Sequence, residues 1–313
     1  MNESVLAVDL GGTKLLIGEV NKDGKILNSR KYPSGFLNQK QALQLICDCI
    51  REYEREVGFV KERPVTMGVG LIGQVLPEQG IWEMIDPGRK DPVPIAKILD
   101  ELFHMECFIE NDVKSATLAE QKFGAGRGIS DFIYLNIGTG IAAGFVSKGQ
   151  LIRGWQNDAG EIGHTTVDYN NNIPCVCGRF GCVEAIASGS GMDSRVHQLL
   201  SRYKDSTLAM PAQQGVIGAG QIFHAAEKGD VLAQHVAADA ADAASELILN
   251  LARFFNPERI VIGGGVGGSE WMQAELPKRL CIPHMSSVQD GVVVSELNPN
   301  TTGLIGAAAI AMI

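Results

Sequence analysis

Apolar and polar positions follow the same course twice along this chain. The first copy is SVLAVDLGGTKLLIGEVNKDGKILNSRKY, in which an apolar strand runs into Asp9, turns at Gly11 and Gly12, and resumes as a β-like run from Leu15 to Val20. An Asn-Lys-Asp-Gly turn and a third strand follow, so the segment predicts an antiparallel meander. A dinucleotide fold or a P-loop would open a helix after its glycines, and this stretch opens a strand. The second copy, DFIYLNIGTGIAAGFVSKGQLIRG from Asp131, reads as strand, Gly138-Thr139-Gly140, strand, Ser-Lys-Gly turn, strand. Placing Asp9 on Asn136 puts Gly11 on Gly138. The later turns drift by one or two residues, a weak internal repeat of the kind that marks a duplicated domain.

Between the meanders, Leu43, Ile46 and Ile50 recur at helical spacing and predict a helix from Gln39 to Arg55. A buried strand, VTMGVGLIG, comes next, and Pro77 to Pro94, with its prolines and charges, reads as loop. A short helix from Ile95 to Phe103 leads to a strand that breaks at Asn111-Asp112. A helix begins there, with good helix formers from Ser115 to Phe123, and Gly124-Ala125-Gly126 stops it as a hinge between lobes. From Ser188 to Phe255 the chain reads as mostly helical, with Leu247, Ile248, Leu251 and Phe255 forming a core face. NPERIVIGGGVGG and GVVVSEL predict two further strands, and GLIGAAAIAMI a last helix whose Gly306 and alanines allow close packing. Two meanders, each followed by helices and strands, describe an α/β, actin-like (ribonuclease-H-like) duplicated architecture in which nucleotide sits between two related lobes.

The 313 residues exceed the size at which one core stops growing, which also favours two domains. A formal net charge of −9 argues against a nucleic-acid-binding surface. No apolar run reaches the roughly 20 residues needed to span a bilayer. The cysteines are odd in number, and no signal peptide is visible ahead of Val5, so a reducing cytoplasm is expected. Cys47, Cys49, Cys107 and Cys281 are expected to fill core. The 37 glycines fall in short clusters beside apolar runs, which suggests backbone approaching a ligand.

Chemistry concentrates in DAGEIGHTTVDYNNNIPCVCGRFGCVE, from Asp158 to Glu184. His164, Cys175, Cys177 and Cys182 supply the four N/S donors of a closed tetrahedral Zn²⁺ site, and Gly178 and Gly181 let the backbone turn sharply between them. One residue between Cys175 and Cys177 is tighter than the usual spacing, so buried or disulfide-bonded cysteines remain the other reading. Backbone N–H groups at Gly11, Gly12, Gly138 and Gly140, with Thr13, Lys14 and Thr139 beside them, suit phosphate. Asp9 is placed to hold Mg²⁺ through water. Gly263-Gly264-Gly265 fits either an adenosine pocket or a plain strand-to-helix turn. Asp112, read alone, predicts a helix N-cap, although Ser115 three residues on leaves the capping box incomplete. In a ligand site the same carboxylate could instead accept a proton from an attacking hydroxyl.

DLGGTK, Glu110-Asn111-Asp112, IGTG, AGEIGH and CVCGRFGCVE resemble, in that order, the motifs of the ROK family (repressor, open reading frame, kinase), and the likeness covers essentially the whole chain. It implies ATP with Mg²⁺, a structural Zn²⁺, and phosphorylation of a sugar, usually at the 6-hydroxyl of an aldohexose or N-acylhexosamine. It implies Asp112 as base, with Gly73, Asn111, Glu161, His164 and Glu184 at the sugar and Gly264 and Gly265 at the nucleotide. His164 would bind zinc through one ring nitrogen and sugar through the other. The implied lobes are 1–122 with the returning helix 302–313, and 123–301 with the zinc loop 158–184; a homodimer is also implied. Departures fall at Ile72, where many members have proline, and at Asp86 to Arg89. GCVEAIASG and the SSVQDGVVVSEL region are similar to N-acetylmannosamine kinases, and glucokinases share much of the former.

A sugar-responsive regulator is the competing reading, since ROK repressors use this fold as a sensor. They carry a helix-turn-helix ahead of DLGGTK, whereas four residues precede Val5 here, and Asp9 and Asp112 are both present. A zinc-ribbon interaction module would explain the cysteines and leave the paired glycine meanders unexplained.

Overall fold

The computed structural model describes residues 4–12, 14–35, 38–60, 62–85, 88, 90–170, 172–280, 288 and 291–312. The strands are β1 (Ser4–Leu10), β2 (Lys14–Asn21), β3 (Ile26–Pro33), β4 (Thr66–Leu71), β5 (Gln74–Leu76), β6 (Ile81–Met84), β7 (Glu106–Asn111), β8 (Phe132–Ile137), β9 (Ile141–Ser147), β10 (Gln150–Ile152), β11 (Arg259–Gly263) and β12 (Gly291–Val294). The helices are α1 (Gln39–Glu56), α2 (Ile95–Phe103), α3 (Asp112–Phe123), α4 (Val183–Ala187), α5 (Gly189–Leu199), α6 (Ala209–Gln214), α7 (Ala219–Glu227), α8 (Val231–Phe255), α9 (Glu270–Arg279) and α10 (Thr302–Ala311). The chain divides into two compact units: Met1–Gly128 with Gln150–Ala159 and Glu296–Ile313, and Ile129–Gly149 with Gly160–Ser295.

In the first unit the sheet order is β3-β2-β1-β4-β7. β1 and β2 pair antiparallel as the meander predicts, while β4 and then β7 add in parallel. Alternation along β1 sorts its side chains. Leu6, Val8 and Leu10 join Ile46 and Ile50 of α1 in one core, and Val5 and Ala7 pack with Leu304, Ala307 and Ala308 of α10 in another. The same alternation puts Asp9 on the α10 face. Gly68 of β4 keeps that helix close, since a Cβ there would lie 1.8 Å from the Ala307 carbonyl oxygen.

In the second unit the order β9-β8-β11-β12 repeats the order β2-β1-β4-β7, with the same senses: β8 and β9 antiparallel, β8, β11 and β12 parallel. The two glycine turns differ in length. Gly11 N–H donates to the Lys14 carbonyl, and Gly138 N–H to that of Gly140, so one turn is a residue shorter, which accounts for the drift in the repeat. The core of this unit is one cluster drawn from β8, β9 and β11 and from α5, α7 and α8, including Leu247, Ile248 and Leu251.

Two sequence expectations are corrected. Pro77 to Pro94 is more than a loop: β6 pairs antiparallel with β5, Trp82 is fully buried, and its indole N–H donates to the Ile72 carbonyl. The prolines lie outside the paired residues and hide this hairpin in the sequence. Helix α3 runs from Asp112 to Phe123 as expected, with Asn111 as its cap. Cys107 is only half-buried, whereas Cys47 and Cys49 are buried as expected; Cys281 lies outside the described residues. Among the described residues no helix is long and apolar enough to cross a membrane.

Candidate active site and metal centre

Asn111 ends β7 and makes the cap of α3. Its Oδ1 accepts from the N–H groups of Val113 (3.0 Å) and Lys114 (3.1 Å), and its Nδ2 donates to the Gly73 carbonyl (3.1 Å) and to Asp112 Oδ1 (2.9 Å). Two donors and two lone pairs are all that a primary amide offers. The Asn111 side chain is thus fully engaged within the protein, holding the Gly73 turn to the start of α3. Gly73 itself has φ +80°, and a Cβ on it would lie 2.3 Å from the Met84 carbonyl oxygen.

With the cap assigned to Asn111, Asp112 becomes the first residue of the helix. This corrects the reading of Asp112 as N-cap and releases its carboxylate from that duty. Oδ1 accepts from Val113 N–H (2.9 Å) as well as from Asn111. Burial pushes the Asp112 carboxyl above its ordinary value, while the Val113 hydrogen bond, the Lys114 charge and the Asn111 amide pull it down. A carboxylate poised in this way suits a general base.

Asp9, at the end of β1, is 8% exposed. Burial and then the neighbouring Asp112 charge push its carboxyl up to about 7, and Lys14 opposes them. A Cβ on Gly303 would lie 2.3 Å from Asp9 Oδ2, so only glycine in the first turn of α10 leaves room for this carboxylate. Gly11 is half-buried and Gly12 exposed beside it. A buried carboxylate at a glycine turn fits the one-carboxylate, water-mediated way in which Mg²⁺ is commonly held with phosphate. Lys14, expected at phosphate, donates from Nζ to the Asn300 carbonyl (3.2 Å). Thr13, Asp86 and Arg89 lie outside the described residues, as does most of the segment ahead of β12.

In the second unit the glycine turns converge. Gly264, at φ +82°, would place a Cβ 2.3 Å from the Ile137 carbonyl oxygen, and Val266 and Gly267 both donate to that carbonyl. The turn after β11 therefore packs against the residue preceding Gly138. Gly265 and Thr139 are exposed, and the carbonyls of Gly138 and Thr139 accept from Gly189 and Ser190 at the start of α5. Glu184 in α4 reaches the same place: its Oε2 accepts from Ile141 N–H (2.9 Å). Gly163 is pinned between them, since a Cβ there would lie 2.3 Å from the Ile141 carbonyl oxygen and 3.1 Å from Glu184 Oε2. Glu161 is exposed immediately before the 3₁₀ turn Ile162–His164.

The donor atoms of His164, Cys175, Cys177 and Cys182 all lie within 4.8 Å of one another. Cys175 Sγ is 3.4 Å from His164 Nδ1, and Cys177 Sγ is 3.7 Å from Cys182 Sγ. A tetrahedral Zn²⁺ with bonds of about 2.3 Å to sulfur and about 2.0 Å to nitrogen would hold S···S near 3.8 Å and S···N near 3.5 Å. These residues fit zinc, and all three cysteines are free thiols rather than disulfides. Nδ1 faces the sulfurs, which leaves Nε2 of His164 for another partner. Burial pushes the Cys182 thiol up to about 12, and a hydrogen bond with the Arg179 backbone holds Cys177 below its usual value.

Sequence reasoning missed the polar network behind Asp112. Glu110, wholly buried, pairs with Arg153 (2.8 Å) and accepts from Asn157 Nδ2 (3.2 Å), and Lys114 donates to the Asn157 carbonyl (2.8 Å). The one available signal was a lysine in the first turn of a helix, where the dipole disfavours a cation.

Residues 5–312 match the family described as ROK. A glucokinase of Thermotoga maritima is 32% identical over 98% of this chain and 96% of its own length. An N-acetylmannosamine kinase of Shigella boydii is 30% identical over 98% of both chains. A xylose repressor of Caldicellulosiruptor bescii is 27% identical over 83% of this chain and 65% of the repressor. Among solved structures, a ROK family glucokinase from Streptomyces griseus in complex with glucose and AMPPNP superimposes with a TM-score of 0.79 at 26% identity, covering 98% of this chain and 99% of that one. A match across nearly its full length, with both glycine turns and the His-Cys cluster in place, means that the chain belongs to the ROK family.

Proposed function

We propose that this protein is an ATP-dependent sugar kinase that transfers the γ-phosphoryl group to the 6-hydroxyl of a hexose or N-acylhexosamine, with glucose and N-acetylmannosamine as the favoured acceptors. The observation that carries this reading is the cap of α3: Asn111 takes over the capping role and leaves Asp112 poised, with a raised affinity for protons, at the helix start. Asp112 accepts the proton of the sugar hydroxyl as its oxygen attacks phosphorus. Asn111 and Gly73 keep that carboxylate in place. Glu161, the Nε2 of His164 and the free oxygen of Glu184 would recognise the other hydroxyls by paired hydrogen bonds, a polar site that discriminates against analogues lacking one. Backbone N–H groups of Gly11, Gly12, Gly138 and Gly140, with Thr139, would take the phosphates, and Gly264 and Gly265 the adenosine. Asp9 would hold Mg²⁺ through water, and that ion supplies charge neutralisation of the β- and γ-phosphates. Zinc on His164, Cys175, Cys177 and Cys182 would keep the loop carrying Glu161 and Glu184 in shape and take no part in the reaction.

The two named kinase activities of similar proteins support both acceptors. A coupled ADP-release assay over glucose, mannose, fructose, allose, N-acetylglucosamine and N-acetylmannosamine tests kinase and acceptor together. ADP release with glucose or N-acetylmannosamine is the expected result. The similarity to a xylose repressor supports a second reading, a sugar sensor. Sugar binding without ADP release from any acceptor would favour the sensor. The reading includes a homodimer in a reducing cytoplasm, supported by the family resemblance and by the free thiols, and light scattering of the purified protein tests its mass.

A further inference from the structure

Trp155 is 97% exposed, more than any other large apolar side chain among the described residues. A single apolar residue at a surface is ordinary. Trp155 differs because the backbone on both sides of it is fixed beside the residues that bracket Asp112. It lies at the corner of a turn in which Asn157 N–H donates to the Gly154 carbonyl (3.5 Å) and Ala159 N–H to that of Arg153 (3.0 Å). Ahead of the corner, Arg153 pairs with the buried Glu110 (2.8 Å). Beyond it, the Gln156 carbonyl accepts from Gln74 Nε2 (2.8 Å). The buried Asn157 donates from Nδ2 to the Val75 carbonyl (2.6 Å) and to Glu110 Oε1 (3.2 Å), and its own carbonyl accepts from Lys114 Nζ (2.8 Å). The turn therefore stands on Glu110 and Lys114, either side of Asn111-Asp112, and on Gln74 and Val75, next to the Gly73 whose carbonyl Asn111 holds. All of these residues belong to the first unit. The indole takes no part in this packing. An aromatic ring on backbone that is already ordered meets a ligand without a further ordering cost to the chain.

We infer that Trp155 is a specificity-determining residue of the acceptor site: its indole is a wall on which the apolar face of a hexopyranose rests while a hydroxyl is presented to Asp112. This rests on the sugar-kinase reading above. Hydroxyls crowd the rim of a pyranose, and the C–H groups on its ring faces carry slight positive charge. The face of an indole is negative, so the two attract, and both shed water on contact. Carboxylates and amides read the hydroxyls and leave that face uncovered. Glucose and N-acetylmannosamine share the face that bears the C3 and C5 hydrogens, and this is the face assigned to Trp155. Allose turns its 3-hydroxyl onto it, where the hydroxyl would lose water against the indole without gaining a hydrogen bond.

The test uses the full chain and the fluorescence of its tryptophans. Trp82 is fully buried and Trp271 is half-buried against Phe223, so acrylamide should quench chiefly Trp155. A sugar shown to bind by calorimetry, glucose and N-acetylmannosamine first, should protect the parent from quenching, and Trp155→Phe should abolish that protection. Trp155→Ala, which leaves every hydrogen bond of the turn in place, should weaken sugar binding on the order of 10-fold without changing the affinity for ATP, and Trp155→Phe should recover most of the loss. In the ADP-release assay the loss should appear in the KM for sugar rather than in kcat. Allose should bind more weakly than glucose. Bound sugar that leaves quenching unchanged, an alanine variant that binds sugar as tightly as the parent, or tighter binding of allose than of glucose would each overturn the inference, whether or not ADP is released. Protection by a bound sugar without ADP release counts against the kinase reading alone. A parent that binds none of the six sugars overturns both.

Discussion

Asp9→Asn replaces a buried carboxylate by a neutral amide of the same shape, and its effect on stability should depend on pH in a way that the structure fixes. Asp9 titrates at about 7 in the folded chain against an ordinary 3.8. At about 1.36 kcal/mol per pH unit, the ionised form is disfavoured by about 4 kcal/mol on folding. The folded-state value is the raised one, so the favourable contribution of the neutral acid is complete below pH 3.8 and is lost as pH rises through 7. The parent and Asp9→Asn should therefore be about equally stable near pH 4. The variant should gain steadily between pH 4 and 7 and level off above it, ahead by up to about 4 kcal/mol. Urea unfolding at intervals from pH 4 to 8 measures this, and with a slope of about 3 kcal/mol/M the midpoint difference at pH 8 should approach about 1 M. Adding Mg²⁺ and ATP at pH 8 should close the gap from the other side, because a ligand that binds the ionised carboxylate stabilises the parent and not the variant. A stability difference that is flat from pH 4 to pH 8 would refute the reasoning.

Asp112→Asn should retain sugar binding and lose about 10²- to 10⁴-fold in turnover, measured by kcat beside a sugar titration; near-normal turnover would remove the base assignment. Because burial raises the Asp112 carboxyl, the acid limb of the parent's kcat/KM should titrate above the ordinary aspartate range, which a pH-rate profile reads directly. Elemental analysis should find about one zinc per chain, and Cys182→Ser should lower both the zinc content and the affinity for sugar; much less than one zinc in the parent would end the four-ligand proposal. Gly303→Ala should weaken binding of Mg²⁺ and ATP with little change in sugar affinity, since its Cβ would lie 2.3 Å from Asp9 Oδ2; calorimetry with each ligand separates the two.

Much of this was legible in the sequence because it rests on local periodicity. The β1-β2 and β8-β9 meanders, α1 and α2 follow from apolar spacing over neighbouring residues, and one histidine with three cysteines in a single segment offers four donors, although the tight Cys175–Cys177 spacing left buried or disulfide-bonded cysteines as the other reading. What was not legible depends on residues far apart in the chain. Glu110, Lys114, Arg153 and Asn157 assemble across more than 40 positions, and Asp9 meets Gly303 from opposite ends of the sequence. The cap of α3 was a choice between two adjacent residues that both favour capping, and the backbone placed Asn111 there by tying it also to Gly73. Gly264 read equally as pocket or turn. Its close packing on Ile137, invisible in the sequence, brings it beside Gly138.

The path of the loop between Glu161 and Glu184 is held by its own backbone. Val167 and Asp168 donate to the Gly181 carbonyl, Gly181 to that of Ile173, Cys175 to that of Arg179, and Val183 to that of Thr165. A Cβ on Gly181 would lie 1.6 Å from the Asp168 carbonyl oxygen, and one on Gly160 2.0 Å from that of Ala143, so these crossings tolerate no larger residue. Small zinc domains that fold only around their metal bury new apolar surface as they take it up. Here the second unit has a core of its own, drawn from β8, β9, β11, α5, α7 and α8, so removing zinc should loosen the loop that carries Glu161 and Glu184 and leave that core folded.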